Sequence, residues 1–310
     1  MSTIPCASGH RCRTWPPRPR RSCAWPRSGR GPSASAAPRS RLRPMTDQQA
    51  SLASLDGEIM AAAEARIPAT DEGLLRGDGA FEVIRVYEGR PFALEAHLGR
   101  LQRSAESLRL ALDLEAVRAD AHRLLAHAGP AAGHELLRIV LTRGGRRLLL
   151  TEPLPPGVQR IRLGSVTYSP TRVLDGIKSL SYAGNMLAGR LARERGFDEA
   201  LLVTPHGRVL EAPTSSIFWA EDEQILTPPL DEHILASITR AAVIELTSAR
   251  ERVCTLSDLA SADEAFLAST TREVQPIAAV DEYVFGEANP VTGEAAAALH
   301  AHIRSELARS

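Results

Sequence analysis

Residues 77–87 read GDGAFEVIRVY, a glycine-rich turn followed by a run in which apolar and polar side chains alternate. Such alternation is typical of a half-buried β-strand. Residues 88–90, Glu-Gly-Arg, then turn the chain into a second short strand at 91–94. Two strand patterns separated by turn residues predict a hairpin.

A helix and a further strand extend this region. The apolar residues that recur at helical spacing are Leu98, Leu101, Ala105, Leu108 and Leu112. This spacing indicates one buried helix face. Residues 135–142, ELLRIVLT, form another strand pattern closed by Arg-Gly-Gly. We therefore predict a small α+β domain at residues 45–152.

The segment PLPPG opens a predicted linker at residues 153–159. Beyond it, short strand patterns separated by turn residues predominate, at 160–168, 200–203, 209–211, 216–219, 224–226 and 265–268. Helices are predicted at 182–195, from Ser237 onward, and at 295–307. This order predicts a larger, strand-rich, barrel-like domain at residues 160–310, and an α+β fold for the whole chain.

The charge of the chain is unevenly distributed. Residues 1–44 carry ten of the arginines and no acid, so the remaining 26 arginines and one lysine face 37 acids, a balance of 27 − 37 = −10. An acidic body argues against nucleic-acid binding, which depends on cations meeting phosphates. No apolar run approaches the roughly 20 residues of a membrane helix. We therefore predict a protein that binds neither nucleic acid nor membrane.

The basic segment at residues 1–44 has three readings. It can be a targeting peptide, a nucleic-acid arm, or upstream sequence preceding a true start at Met45, and we favour the last. In each case we predict that it is disordered. It holds three of the four cysteines, which leaves Cys254 alone in the body. A single cysteine forms no internal disulfide, so we predict a buried apolar role for it and a cytoplasmic location.

Lys178 is the only lysine in a chain that contains 36 arginines. Most surface cations can be either residue, so a position that stays lysine against this bias is one where arginine does not serve. A lysine amine can lose its proton and attack a carbonyl, whereas a guanidinium stays charged. The residue count alone is equally compatible with a surface lysine that has no function and was retained by chance. The neighbouring sequence favours Schiff-base chemistry.

Four separated segments share one known pattern. They are GDGAFEVIR at 77–85 with HLGRL at 97–101, IKSLSY at 177–182 with Asn185, DEA at 198–200 with LEAPTSSIF at 210–218, and SITR at 237–240 with STTREVQPI at 269–277. Together they resemble the class IV (fold type IV) pyridoxal-phosphate aminotransferases, which include branched-chain and D-amino-acid aminotransferases and aminodeoxychorismate lyase. The resemblance covers residues 51–290. It implies a two-domain, D-amino-acid-aminotransferase-like fold, pyridoxal 5′-phosphate as cofactor and a homodimer.

The resemblance implies a role for each matching residue. Lys178 corresponds to the lysine that forms the Schiff base with the cofactor and later transfers the proton. Glu211 corresponds to the glutamate at the pyridine nitrogen, where a carboxylate stabilises a protonated ring. The alternative for Glu211 is an exposed acid at a strand end.

Four further residues correspond to phosphate ligands. Arg100 matches the arginine that binds the phosphate, while Ile238 and Thr239 match contacts at a helix start, which favours anions. Thr270 matches another phosphate contact on a loop, and a shift of register by one residue would give that place to Ser269 or Thr271. The alternatives are a solvated arginine and threonines that only cap helices and turns. Phe81 and Tyr182 are predicted to line the substrate pocket, and core packing explains both aromatics equally well.

The substrate is less closely specified. The order from Lys178 to Tyr182 is more similar to D-amino-acid aminotransferases and lyases than to branched-chain enzymes, while residues 269–277 look more like an aminotransferase than a lyase. The loop at 142–147 lacks the Arg-x-His that D-amino-acid aminotransferases use. We therefore predict a transaminase acting on branched-chain or other hydrophobic amino acids and a 2-oxo acid. The alternatives are aminodeoxychorismate lyase, which serves 4-aminobenzoate and folate synthesis, and D-amino-acid aminotransferase.

Three arginines on one loop suggest a substrate-carboxylate site at Arg143, Arg146 or Arg147, with Arg143 as the leading candidate. We predict no metal site. A non-catalytic, dimeric scaffold remains a second class of hypothesis, against which the joint presence of Lys178 and Glu211 counts.

Overall fold

The computed structural model describes residues 51–130 and 135–309, so the predicted disorder of residues 1–44 lies outside the described part of the chain. The first of two sheets along the chain has six antiparallel strands in the order β2-β1-β6-β5-β3-β4. Its strands are β1 (Leu52–Leu55), β2 (Glu58–Ala61), β3 (Gly79–Tyr87), β4 (Arg90–Pro91), β5 (Leu136–Thr142) and β6 (Arg147–Glu152). The helices of this region are α1 (Glu72–Arg76), α2 (Leu94–Leu108) and α3 (Leu114–Ala128).

One face of this sheet packs against α2 and α3. The alternation along β3 sends Ala80, Ile84 and Val86 into that core, together with Leu137 and Ile139 of β5. The intervening residues of both strands therefore point to the opposite face. That opposite face forms a wall of the cavity described below.

The second sheet has eight strands in the order β11-β10-β9-β12-β13-β7-β8, with β14 paired to β13. Its strands are β7 (Ile161–Thr167), β8 (Glu199–Val203), β9 (Ser216–Glu221), β10 (Gln224–Thr227), β11 (Arg250–Glu251), β12 (Glu264–Ser269), β13 (Glu273–Val280) and β14 (Tyr283–Val284). The accompanying helices are α4 (Ala183–Glu194), α5 (Ile238–Thr247), α6 (Leu256–Ser261) and α7 (Pro290–Arg309), with short 3-10 turns at Arg172–Leu174 and Leu230–Glu232. Parallel pairs join β7 to β8, β13 to β7 and β10 to β11, so the sheet is mixed.

Both faces of the second sheet are covered, because residues adjacent in sequence enter different cores. Phe218 and Phe266 stack with a 5.0 Å centroid separation in the core that also contains α5 and α7 side chains. Trp219 and Leu267 enter the opposite core. Cys254 is fully buried in that opposite core, as a small apolar residue.

The segment that carries Lys178 is hydrogen-bonded to the first sheet. The Phe81 N–H donates to the Lys178 carbonyl at 3.0 Å, and the Leu180 N–H donates to the Gly79 carbonyl at 2.8 Å. A Cβ at Gly79 would lie 2.3 Å from the Leu141 oxygen and 2.5 Å from Leu180 Cδ1. Only glycine fits this close approach.

Several local predictions differ from the structure. The helix predicted through Leu112 ends at Leu108, because Arg109 takes a left-handed conformation with φ 55° and α3 begins anew after Asp113. The predicted strand at 209–211 is only an isolated bridge from Val209 to Val203. Strands at 52–152 and 161–284 lie on either side of the predicted linker, while the domain boundaries themselves stay a prediction. Within the described residues, no helix is both long and apolar enough to cross a bilayer.

Candidate active site

A cavity of about 800 Å³ opens on the face of β3 and β5 that points away from α2 and α3. Phe81, Val83, Leu136, Arg138 and Val140 form this wall. The remaining walls come from residues 154–159, the segment 170–182, the residues that follow Glu211, and the loops before α5 and after β12. Side chains that are distant in sequence therefore meet in one concave site, which is the usual form of a small-molecule site.

Lys178 lies on this cavity wall with its backbone held on both sides. Its N–H donates to Ser104 Oγ at 3.2 Å, and its carbonyl accepts from Phe81. The amine nitrogen lies 4.5 Å from the Phe81 ring centroid and 5.9 Å from that of Tyr182. Burial, together with the positive charge of Arg100, lowers the pKa of Lys178 to about 8. The neutral, nucleophilic amine is thus far more accessible than in a free lysine.

Glu211 contributes a carboxylate to the same cavity. Burial raises its pKa to about 7, an effect that the Leu235 N–H and the Lys178 charge partly offset. Both of its oxygens lie 3.4 Å from the Leu235 nitrogen. A carboxylate with such a pKa can hold or release a proton near neutral pH.

Arg100 is oriented by a buried ion-pair cluster. Its Nε and Nη2 donate to the two oxygens of Glu82, each at 2.7 Å, and His97 Nδ1 lies 2.8 Å from Glu82 Oε2. Burial alone would raise the pKa of Glu82, but hydrogen bonds from Arg100 and His97 outweigh it and hold that pKa at about 2. Burial lowers the pKa of His97. The sequence interpretation missed Glu82 and His97, although the i, i+3 spacing of His97 and Arg100 places both on one face of α2.

The start of α5 lies beside Arg100, whose Nη1 donates to the Ala236 carbonyl at 3.1 Å. Ser237 caps the helix by accepting from the Arg240 N–H at 3.2 Å. Ser237 and Thr270 line the cavity. Thr239 is buried in the first turn, and neither it nor Ile238 is among the described residues whose atoms line the cavity.

Tyr182 and Phe81 form an aromatic corner, with ring centroids 5.4 Å apart and planes at 79°. The Tyr182 hydroxyl donates to the Pro213 carbonyl, which also accepts from Asn185 Nδ2 at 3.2 Å. Burial raises the pKa of Tyr182. The tyrosine is therefore a neutral, fixed part of the wall next to Lys178.

The structure does not bring Arg143 into the cavity. Its Nε and Nη2 donate to Asp78 at 2.9 and 3.2 Å, and its Nη1 donates to the Arg109 carbonyl at 2.7 Å. Arg146 pairs with Asp56 and Arg147 with Asp120. Three aspartates hold this loop, and none of its arginines is among the described residues that line the cavity.

Arg138 is the cavity arginine that the sequence interpretation missed. It lies on β5, and its guanidinium is 5.9 Å from the Phe81 ring centroid. Its Nε and Nη2 donate to the two oxygens of Glu152 at 2.6 and 2.9 Å. The alternation of side chains along β5 could have identified Arg138 as a cavity residue. Leu137 and Ile139 enter the core, so Arg138, which lies between them, faces the opposite side of the sheet.

Two serine hydroxyls in the cavity wall stand without partners. Ser215 Oγ and Ser216 Oγ are buried and have no hydrogen bond to any part of the chain that the structure describes. Buried hydroxyls are nearly always satisfied in folded proteins. A polar ligand in the cavity would supply the missing partner.

Comparison with known proteins gives one consistent result. The family model for amino-transferase class IV matches residues 79–280. A putative branched-chain-amino-acid aminotransferase from Methanocaldococcus jannaschii is 34% identical over 267 residues, covering 77% of this chain and 91% of that relative. A D-alanine aminotransferase from Bacillus licheniformis is 29% identical over 278 residues, covering 82% and 98%.

A solved structure agrees with these relatives. The PLP-bound form of a hypothetical aminotransferase from Mycobacterium tuberculosis matches with a TM-score of 0.74 at 27% identity, covering 82% of this chain and 99% of that one. This likeness confirms the predicted α+β, D-amino-acid-aminotransferase-like fold. The match at residues 79–280 includes Lys178, Glu211 and Arg100. The chain belongs to the class IV aminotransferases and is a transaminase of that family.

Proposed function

We propose that the cavity binds pyridoxal 5′-phosphate and that Lys178 both attaches this cofactor and moves the proton during amino-group transfer. The observation that supports this most strongly is the position of the single lysine. Its amine has a pKa of about 8 and lies in the same cavity as Glu211 and Arg100. A neutral amine is the form that attacks an aldehyde.

The cavity offers the donors that a phosphate requires. Arg100 uses three of its five guanidinium N–H groups on Glu82 and Ala236, which leaves two for an anion. Ser237, which caps α5, lines the cavity, and the first-turn N–H groups of Ile238 and Thr239 lie behind it as the positive end of the helix dipole, although these two residues do not themselves line the cavity. Thr270 adds a hydroxyl from the loop after β12. We infer that these groups hold the phosphate.

The remaining polar groups fit the cofactor ring. The Glu211 carboxylate, with a pKa of about 7, would stabilise a proton at the ring nitrogen. The unpartnered hydroxyls of Ser215 and Ser216 would gain hydrogen-bond partners. When bound, pyridoxal phosphate supplies the electron sink for the carbanion that forms at the substrate Cα.

The protein itself would supply the group that transfers the proton and the apolar side chains that exclude water from it. Lys178 Nζ would accept the proton from the Cα of the bound amino acid and deliver it to the former aldehyde carbon of the cofactor, and it would carry out the reverse transfer for the incoming 2-oxo acid. Phe81 and Tyr182 cover this amine, and the exclusion of water by burial favours its neutral form more than in a free lysine.

We propose branched-chain or other hydrophobic amino acids as donors and a 2-oxo acid as acceptor. The apolar stretch of wall formed by Val83, Leu136 and Val140 supports this class. Named relatives include both branched-chain and D-alanine aminotransferases, so the stereochemistry of the donor requires a test. We further propose a cytoplasmic homodimer, which the family resemblance and the absence of a cysteine partner for Cys254 in residues 45–310 support.

Product analysis tests this assignment. The purified protein with pyridoxal phosphate is incubated with 2-oxoglutarate and either L-leucine or D-alanine, and glutamate is measured. Glutamate from L-leucine is expected. Glutamate from D-alanine alone would replace the branched-chain assignment with a D-amino-acid one. A parallel incubation with aminodeoxychorismate covers the lyase alternative, because pyruvate together with 4-aminobenzoate would overturn the transaminase substrates proposed here.

A further inference from the structure

The stretch of chain that precedes Lys178, residues 171–177, is held to the rest of the protein by one polar contact. Among the described residues, this stretch makes a single hydrogen bond to a residue outside itself, between Asp175 Oδ2 and His233 Nδ1 at 2.6 Å. An ionised carboxylate only accepts, so the histidine ring donates from Nδ1. Both side chains line the cavity.

The same stretch has few apolar anchors. Most of its residues are exposed, and Val173 is 81% exposed. Its remaining hydrogen bonds close local turns, such as those from the Asp175 N–H to the Arg172 carbonyl and from the Ile177 N–H to the Leu174 carbonyl. Segments with few buried contacts open readily. The contact with His233 therefore restricts a stretch that little else restricts.

Asp175 and His233 each lie close in sequence to the proposed machinery of the cavity. Only two residues separate Asp175 from Lys178. On the other side, His233 is two residues before Leu235, whose nitrogen lies 3.4 Å from both oxygens of Glu211. The pair therefore joins the segment of the reacting amine to the segment that contacts the ring carboxylate.

The backbone of His233 shows that its side chain is present at some cost. The residue is left-handed, with φ 64° and ψ 33°, at the end of the turn Leu230–Glu232. Glycine adopts this conformation freely, whereas residues with a side chain adopt it uncommonly. The turn itself is fixed by an ion pair between Glu232 and Arg208. His233 thus donates to Asp175 from a fixed base.

We propose that Asp175 and His233 form a positioning pair, which keeps Lys178 facing the cofactor site by joining its segment to the one that contacts Glu211. This inference rests on the proposed function, because it takes the cavity as the pyridoxal-phosphate site. Neither member of the pair has to touch the reacting atoms. The pair acts by keeping the binding-competent arrangement of the stretch populated.

The expected size of the effect follows from this population. Without the contact, Lys178 faces the cavity in a smaller fraction of molecules, and the apparent cofactor affinity falls in proportion to that fraction. The side chains of His233 and Asp175 are 25% and 41% exposed, so solvent weakens their attraction. We therefore expect an effect of about fivefold.

The test titrates the apoprotein with pyridoxal phosphate and follows absorbance. His233→Gly removes the ring at a backbone conformation that glycine prefers, so it should weaken binding about fivefold through loss of the contact alone. His233→Asn keeps a side-chain donor, and asparagine also tolerates the left-handed conformation. It should bind within about twofold of the unaltered protein.

A double variant tests whether the two residues act as one unit. Asp175→Ala should weaken binding as much as His233→Gly, and the variant that carries both changes should be no weaker than either single one. Asp231→Asn is the matched control and should bind normally. Asp231 lies in the turn Leu230–Glu232 but makes no hydrogen bond or ion pair to any described residue and is not part of the wall that holds Lys178.

A second readout separates positioning from damage to the site. At saturating pyridoxal phosphate, borohydride reduction should label Lys178 fully in His233→Gly, because excess cofactor draws the population back. Incomplete labelling at saturation would show a damaged site and overturn the proposal. If His233→Gly fails to fold, Asp175→Ala on the exposed stretch carries both measurements.

Three other results would overturn the proposal. They are unchanged affinity in both single variants, losses that multiply in the double variant, and binding by His233→Asn as weak as that by His233→Gly. Failure of the proposed function is distinguishable from these, because the unaltered protein would then bind no pyridoxal phosphate.

Discussion

At the scale of single residues, the position of Lys178 explains why arginine cannot replace it. Its amine is held between two aromatic rings, and burial brings its pKa down to about 8. Arginine in this place would stay protonated at every accessible pH. In the proposed role, Lys178 must react as a neutral amine, which explains why lysine is kept at this position in a chain that otherwise uses arginine.

Replacement of Lys178 by arginine tests this role. Lys178→Arg keeps the charge and should lower turnover by at least about a thousandfold, since the guanidinium neither attacks the cofactor aldehyde nor accepts the proton. Steady-state glutamate formation measures the effect. Arg76→Lys, which changes an exposed arginine of α1, is the control and should keep full activity. An active Lys178→Arg variant would refute the assignment.

The buried Glu82 gives a second prediction, on stability. Glu82→Gln breaks a buried ion pair and should lower the free energy of unfolding by about 3 kcal/mol or more, because it leaves Arg100 without its counter-charge. Urea unfolding measures the loss. Glu95→Gln, at an exposed pair, should change it by less than about 1 kcal/mol. An equal effect for both variants would contradict the role of Glu82.

The sign of the pH dependence follows from the same residue. The pKa of Glu82 falls from an ordinary value of 4.5 to about 2 in the folded protein. Its ionised form therefore stabilises the fold above about pH 4.5, and this contribution is lost as the pH falls toward 2. Glu82→Gln should flatten the stability profile within that window, and an unchanged profile would contradict the claim.

At the scale of elements, the close contact between β3 and the segment 178–180 positions Lys178. This contact depends on Gly79, where a side chain has no room beside the Leu141 carbonyl and Leu180. Sequence patterns predicted β3 as a strand, but they contain no information that it pairs with a segment about one hundred residues away. Contacts of this kind arise only from the tertiary fold.

Gly79→Ala tests this contact. The added methyl group should separate β3 from residues 178–180, displace Lys178 and weaken cofactor binding by about tenfold or more. Titration of the apoprotein with pyridoxal phosphate, followed by absorbance, measures it. Gly99→Ala is the control, because its methyl group would meet only Arg103 Nη1 at 3.6 Å in the middle of α2. That variant should bind normally and gain about 1 kcal/mol of stability.

The patterns that failed also have physical reasons. The apolar period from Leu98 to Leu112 continues through a helix end, so periodicity alone could not show that Arg109 turns left-handed. Asp113, which caps α3 by accepting from the Ala116 N–H at 3.0 Å, was the available signal. The prediction of a carboxylate site at Arg143, Arg146 or Arg147 rested on the clustering of three arginines on one loop, which could not show that Asp78, 65 residues before Arg143, pairs with its guanidinium.

At the scale of the whole molecule, the fold class was predictable because the motifs that carry the resemblance are local, while the roles of the residues in those motifs stay predictions. Lys178, Glu211, Arg100, Thr270, Phe81 and Tyr182 come from several different segments and all line one cavity. The polar partners that orient them, such as Glu82 for Arg100 and Glu152 for Arg138, were not predictable. The first pair joins β3 to α2 and the second joins β5 to β6, and strand and helix patterns do not show which side chains meet between two elements.

Attachment of the cofactor to Lys178 is the central claim, and one chemical measurement addresses it. The protein is mixed with pyridoxal phosphate, treated with borohydride to fix the aldehyde to the amine that has condensed with it, digested, and mapped by mass spectrometry. Lys178 and the chain terminus are the only amines available. We predict one stoichiometric label, on Lys178, and no label on the new exposed lysine of Arg76→Lys. A label confined to the terminus, or equal labelling of both lysines in that variant, would contradict the account.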